Sequence, residues 1–299
     1  GSLSGMSVTT VNVKPKASAD DDSDSDDDAK LSKQKGAFDF SRIAPFRIQN
    51  FELGNRAYKT HSLCCYGAAF SNDGMHVAAC GQDKTVTIHE AIGRMKLVRR
   101  LIGHHSPVLR LVWANEGEKL LSAATGELII WDAMNGEVSQ FLGLVHGDMI
   151  SAIDWARWGH LPKSDQVFLS ASYDKTVKIW VYSRKGGMEK VSERQVINCS
   201  ERVLAAALHP TLEQFVMGCD DGSISLYGIQ EGASAEPIRT FRGHADAVLC
   251  LTWQRSIPAD AEFNIPPVHA DMFASASHDK TVKLWYRDTE RAHRTLNGH

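Results

Sequence analysis

The sequence predicts an all-β fold built by repeating one four-stranded unit. Three observations predict it. The stretch "SASYDKTVKIW" at residues 170–180 returns 105 residues later as "SASHDKTVKLW" at 275–285, with ten of eleven positions alike if Ile stands for Leu. Segments aligned on a histidine share one spacing. In "GHHSPVLRLVW", His104 stands four residues before Val108 and nine before Trp113; in "GHADAVLCLTW", His244 keeps those distances to Val248 and Trp253. Finally, short β-branched and aromatic runs alternate with turn residues, and no sustained 3.6-residue periodicity is present.

The elements follow in chain order. "THSLCCYGAAF" fits the frame with His61, Cys65 and Phe70, "VHGDMISAIDW" with His146, Ile150 and Trp155, and "CSERVLAAAL" with Cys199 where histidine is expected. The frame positions are therefore 61, 104, 146, 199 and 244, and the closing "NGH" puts His299 in the same place. Their spacings are 43, 42, 53, 45 and 55 residues, around the ~40–45 residues of a four-stranded propeller blade. The two long spacings place extra loops after the aligned aromatic, at 156–166 and 254–270. Residues 166–172, a turn at Tyr173 and Asp174, and residues 176–182 read as one hairpin, since a turn aspartate bonds nearby backbone N–H groups. "PFRIQNFEL" (45–53) reads as an outermost strand of a different blade, and "AHRTLNG" as the fourth strand of the fifth unit.

These residues resemble the WD-repeat β-propeller family over roughly residues 44–299, with five registered units carrying the likeness. The resemblance implies blades around a central channel. Closed rings in the family typically have seven blades, so five frames imply a fragment of a seven-bladed ring; a five-bladed propeller completed by a partner is the alternative. In the family, a histidine, a serine on the second strand, the turn aspartate and a tryptophan form a hydrogen-bonded chain. Carried over, the third blade supplies His146, Ser170, Asp174 and Trp180, and the fifth His244, Ser275, Asp279 and Trp285. Ser172 and Ser277, two places on, leave the serine assignment open. A buried Trp N–H needs an acceptor, and one unpaired partner costs about 1–3 kcal/mol. His–Ser–Asp also suits nucleophilic catalysis, but its recurrence with tryptophan at the fourth place argues for a structural staple.

Three blades depart from the pattern. The first has Asp83 but His89 and Ala79 at the tryptophan and serine places; the second keeps His104, Ser122 and Trp131 without a turn aspartate. The fourth keeps Asp221 but carries Cys199, Met217 and Tyr227. These three are expected to rely more on apolar packing. In the family, ligand contacts on the narrow face lie five places after the frame histidine and just before the turn aspartate. Those places are Tyr66, Leu109, Ser151, Leu204 and Leu249, then Gln82, Tyr173, Asp220 and His278. Aromatic anchors commonly carry interface energy, whereas leucines there also serve simply to line a channel wall.

Composition narrows the function. The 299 residues are 43% hydrophobic and 23% charged, with a net charge of −3, so nucleic acid is not the default partner. No apolar run approaches the ~20 residues of a membrane helix, and no secretory signal opens the chain. Cys64, Cys65, Cys80, Cys199, Cys219 and Cys250 form no C-x-x-C pair and read as buried free thiols of a reducing compartment, without a metal. No nucleotide, zinc-protease or hydrolase signature is present, so no catalytic residue, cofactor or small-molecule substrate is expected.

Residues 1–40 read as a disordered acidic tail, led by "GSLSG", an expression scar, ahead of a propeller over 41–299. Asp20 to Asp28 place seven carboxylates in nine residues, which repel one another and bury nothing. Ser23 and Ser25, each with an aspartate three residues on, are candidate phosphorylation sites for an acid-directed kinase. The expected function is a non-enzymatic scaffold binding proteins or peptide segments in a multi-subunit complex, in the cytoplasm or nucleus and away from membranes. The second reading is RNA or ribonucleoprotein association through "GRMKLVRRL" (93–101) and "SRKGGMEKVSER" (183–194). A ubiquitin-ligase receptor is disfavoured, since W-D-x-R is absent and "WDAM" and "WYRD" come nearest.

Overall fold

In the computed structural model the described residues are 60–92, 95–114, 117–156, 158, 161–162, 164–230, 236–254 and 271–298. They fall within the second of two units of the chain, Ala57–His299. The stretches expected to form the acidic tail with Ser23 and Ser25, a strand at 45–53 and most of a loop at 254–270 lie outside the described residues.

Every regular element among the described residues is a strand. β1 (Cys65–Phe70), β2 (His76–Gly81), β3 (Thr85–Glu90) and β4 (Leu97–Ile102) form an antiparallel sheet in that order. β5 (Arg110–Trp113), β6 (Lys119–Ala123), β7 (Thr125–Asp132), β8 (Glu137–Ala156), β9 (Asp165–Ser172), β10 (Thr176–Lys185) and β11 (Met188–Asn198) form one seven-stranded sheet. That sheet is two four-stranded units sharing β8, whose first half pairs with β7 and whose second half pairs with β9. β12 (Val203–Leu208), β13 (Gln214–Cys219), β14 (Ile224–Gly228) and β15 (Arg239–Phe241) form a fourth unit. β16 (Val248–Trp253), β17 (Met272–Ser277), β18 (Thr281–Tyr286) and β19 (Arg294–Asn297) form the fifth. The innermost strands of successive units, β1, β5, β8, β12 and β16, pack side by side in chain order. The fold is a β-propeller of four-stranded antiparallel sheets.

Packing explains why the strand sequences lack clean alternation. β6 and β9 are buried along both faces or nearly so, because each middle strand lies between neighbouring units, and such strands read as continuous apolar runs. The core is four clusters, each spanning two successive units. One joins Ala78, Val86 and Leu101 of the first unit to Trp113, Leu120 and Trp131 of the second. Others join the second to the third, the third to the fourth and the fourth to the fifth. No unit buries its faces alone, so the repeat is also the unit of stability.

The aligned tryptophans that mark the frame have a physical use. Trp113 Nε1 donates to Ala69 O of the preceding unit at 3.1 Å, and Trp253 Nε1 donates to Ala207 O at 3.1 Å. Each ties an innermost strand to its neighbour. Trp155 instead donates to Gln166 Oε1 at 2.7 Å, within its own unit. One expectation needs correction. The extra length of the third unit lies only partly in the loop after β8; the rest extends the β10–β11 hairpin, which stays paired out to Lys185 and Met188.

Candidate functional site

The hydrogen-bonded chain takes the same form in the third and fifth units. Trp180 Nε1 donates to Ser170 Oγ at 3.0 Å, Ser170 Oγ lies 2.8 Å from His146 Nε2, and His146 Nδ1 lies 3.0 Å from Asp174 Oδ2. The corresponding distances are 2.8 Å for Trp285–Ser275, 2.7 Å for Ser275–His244 and 2.8 Å for His244–Asp279. Nδ1 facing a carboxylate fixes the tautomer: Nδ1–H donates to aspartate, and Nε2 accepts the serine O–H. Ser172 and Ser277 sit elsewhere, bonding Asp148 O and Asp246 O.

Burial lowers the His146 pKa, with Asp174 acting in the opposite direction. Burial also works to raise the Asp174 carboxyl, but bonds from Thr176, the Gly147 N–H and His146 hold it below the usual carboxylate range. Ser170 and Ser275 are fully buried, so neither hydroxyl is presented to a substrate, although the triad geometry is present.

The other units rebuild this chain with different atoms. In the first, Asp83 Oδ1 lies 2.8 Å from His61 Nδ1. Ala79 offers no hydroxyl, but the residue paired with it across the sheet is Thr87, whose Oγ1 lies 3.5 Å from His61 Nε2. His89 bonds Met95 O through Nδ1 at 3.0 Å. In the second unit Trp131 Nε1 donates to Ser122 Oγ at 2.7 Å, and Ser122 Oγ lies 2.6 Å from His104 Nε2. Glu127 supplies the carboxylate that the turn lacks, accepting from the His105 N–H at 3.2 Å. That corrects the expectation that this unit leans on apolar packing. The fourth unit has sulfur instead, with Cys199 Sγ 3.5 Å from Met217 Sδ and Tyr227 stacked on Phe215. Burial pushes the Cys199 thiol up to about 12; Cys80 and Cys219 are buried as expected, whereas Cys64, Cys65 and Cys250 are exposed, which corrects the expectation for those three.

Four of the five positions that lie five places after a frame residue share a backbone feature, Leu109 being the exception. Pairing jumps from Cys65 to Gly67, from Ile150 to Ala152, from Val203 to Ala205 and from Val248 to Cys250. Tyr66, Ser151, Leu204 and Leu249 are therefore the extra residues of four equivalent β-bulges, a device that re-aims a side chain. The residue before each turn aspartate is fixed beside that bulge. Gln82 N donates to Cys64 O, Tyr173 N to Met149 O, Asp220 N to Arg202 O and His278 N to Ala247 O, at 2.8–3.1 Å. Shared register places both sets at one end of the innermost strands.

Their exposure differs. Tyr66 is 43% exposed and Leu249 51% exposed, while Leu109, Leu204 and Tyr173 are half-buried. Gln82, Asp220 and His278 are exposed. The Tyr173 ring lies 5.9 Å from the Arg202 guanidinium, and His278 Nδ1 is 2.9 Å from Asp246 Oδ2. Ser151 departs from the expectation of a surface contact. It is 5% exposed, and its hydroxyl is shared between Val203 O at 2.6 Å and Ala171 O at 3.1 Å. Among the described residues no cluster of metal-ligating side chains is present, and no helix is long and apolar enough to cross a membrane.

Comparison with known proteins agrees with this geometry. The family described as "WD domain, G-beta repeat" matches residues 55–90, 95–132, 140–181 and 235–286. The matches pass over 182–234, which holds the unit with Cys199, Met217 and Tyr227. The chain is 25% identical to the protein transport protein sec13 of Emericella nidulans, over 76% of this chain and 78% of that one. It is 24% identical to the protein transport protein SEC13-2 of Candida glabrata, with the same coverage. Against the serine-threonine kinase receptor-associated protein of Homo sapiens it is 21% identical, over 72% of this chain and 53% of that one. Proteins built on this repeat generally act as non-enzymatic protein-interaction scaffolds. With more than half of the chain matched and the repeat geometry in place, the chain belongs to the WD domain, G-beta repeat family.

Proposed function

We propose that this chain is a non-enzymatic scaffold of a multi-subunit complex and binds protein partners at the narrow end of its innermost strands. The observation that carries the reading is the set of equivalent bulges, which turns Tyr66 and Leu249 outward on a rigid support. Gln82 and His278 stand beside them, Tyr173 and Asp220 hold the same place in the third and fourth units, and together they supply an aromatic face and polar groups. Large side chains held by a pre-formed backbone bind at low entropic cost.

The RNA reading has less support. Arg184 pairs with Glu118 at 3.2 Å, Arg194 with Glu213 at 2.9 Å, and Lys185 lies 3.8 Å from Asp165. The stretch 183–194 therefore presents few unpaired cations to phosphate. Affinity capture on the full-length protein, with proteins quantified by mass spectrometry, tests the scaffold reading. Tyr66→Ala/Tyr173→Ala should selectively deplete the proteins that the wild type retains. Retention of the same set at the same levels would move the interface away from this end.

A further inference from the structure

The narrow end is not uniform in charge. Two places after each frame residue stand Leu63, Ser106, Asp148, Glu201 and Asp246 in chain order. The third to fifth units thus carry an exposed carboxylate there, and the first two carry none. Lys175 and Lys280 stand at the same end in the third and fifth units, but the first two units carry cations there with no exposed carboxylate at that place. Lys84 is exposed and makes no side-chain hydrogen bond or ion pair among the described residues. Arg110 donates to Ser151 O at 2.7 Å and to Leu109 O at 3.0 Å, and has no carboxylate partner among the described residues. Arg100 bonds Thr60 O and Thr85 Oγ1, with Asp83 3.9 Å away. Val108 N donates to Gly81 O at 3.1 Å, bringing the two units together between Lys84 and Arg110. The local carboxylates, Asp83 and Glu127, are nearly buried and committed to His61 and His105.

The backbone at Lys84 is a second observation. Its φ is 64°, a left-handed value, and the same place five residues before the tryptophan position holds Gly126 and Gly222 in the second and fourth units. Glycine takes that conformation freely, whereas a side chain there is strained. Lys175 and Lys280 share the geometry, at 70° and 67°, and Lys175 Nζ has a structural use, donating to Ser200 O at 2.7 Å. Among the described residues neither Lys84 nor Lys280 has such a use, and only Lys84 lacks an exposed carboxylate two places after its unit's frame residue.

We infer that the narrow end of the first two units docks a short acidic peptide segment of a protein partner. Its carboxylates meet Lys84, Arg100 and Arg110, and an apolar side chain lies on Leu63 and Tyr66. Charge complementarity sets the class of occupant. Polyanionic RNA fits worse, because a long phosphate backbone leaving this sector would meet Asp148, Glu201 and Asp246 at the same end. The inference rests on the scaffold reading and names the chemistry of its partner.

The test is a selection of phage-displayed random 12-residue peptides on the full-length protein, followed by fluorescence polarisation on the enriched peptides. Enrichment of Asp and Glu around one aliphatic or aromatic residue is expected. Lys84→Glu/Arg110→Gln should weaken those peptides by at least about tenfold, while Lys280→Glu, at the equivalent turn of the fifth unit, leaves them within about twofold. Lys84→Glu alone, on an exposed turn, gives the same readout if the double variant unfolds. Neutral or basic winners, no enrichment, undiminished binding to the charge variants, or tighter binding of a 12-nucleotide RNA would each overturn the inference. If Tyr66→Ala/Tyr173→Ala still depletes captured proteins in that event, the scaffold reading survives without it.

Discussion

Glu127 and His104 face one another across the second unit, with Glu127 Oε2 3.5 Å from His104 Nδ1. The turn has Thr125 at the place of the aspartate, and Glu127 stands where the first, third and fifth units have Thr85, Thr176 and Thr281. Those threonines bond both the turn aspartate and the histidine Nδ1. The longer glutamate side chain reaches the same region from the threonine position, but its hydrogen bonds go to the His105 N–H and ring, and it faces His104 Nδ1 only as a nearby charge.

That pair has a pH consequence. Burial pushes His104 down to about 4, partly offset by Glu127. A histidine whose folded pKa is depressed stabilises the fold above its unfolded value, and that stability is lost as pH falls through the folded value. The window runs from about 6.5 down to about 4. His146, lowered mainly by burial, acts with the same sign. His104 alone should remove about 2 kcal/mol between pH 7 and pH 5. Urea unfolding at the two pH values should show this loss, with a shallower dependence in His104→Gln. Equal slopes in the two proteins would remove His104 as the source.

In the fifth unit, His244→Ala and Trp285→Phe break two ends of one chain through Ser275. Their combined cost in denaturant unfolding should fall short of the sum by about 1 kcal/mol or more, since either change disables the shared network. Strict additivity would show that the groups act independently.

Gly126 has φ 72°, and a Cβ there would stand 2.6 Å from His146 O. Gly126→Ala combines a left-handed backbone with a clash against the backbone of the next unit. It should cost upwards of about 2 kcal/mol, read as a lower urea midpoint at unchanged slope. A change below about 0.5 kcal/mol would mean that the turn relaxes freely.

Lys119 is nearly buried between the second and third units, with Nζ 2.8 Å from Glu189 and 3.4 Å from Asp132. Lys119→Met leaves those carboxylates without their shared cation, and removing one member of a buried pair costs about 3–5 kcal/mol. Partial exposure of Asp132 places the expected value at the low end. Lys119→Met/Glu189→Leu should recover part of the loss, and failure to recover any would mean that the two side chains are not coupled.

Much of this structure is legible in the sequence because a repeated fold writes each constraint several times. His244, Ser275, Asp279 and Trp285 stand at the same spacings from one another in the strand and turn regions as their third-unit counterparts in all but loop length, so the frame separates them from chance. Glu127 was hidden because its turn is one residue shorter, and counting forward from Ser122 misaligns it; counting back from Trp131 puts it in the threonine place. Thr87 was hidden because it serves from a different strand, and only the pairing with Ala79 shows that. Ser151 fits the frame of the narrow-face set, but no spacing tells that its hydroxyl turns inward to Val203. The charge asymmetry of the narrow end needs the units laid side by side.

The most direct measurement is the dissociation constant of Tyr66→Ala/Tyr173→Ala for the principal protein that copurifies with the wild type. Tyr66 projects from a bulge and Tyr173 precedes the turn aspartate, so neither contributes to the buried histidine chains. The double variant should bind weaker by a few kcal/mol, about a hundredfold, while its unfolding midpoint stays near that of the wild type. An unchanged dissociation constant on a folded double variant would contradict a partner site at the narrow end.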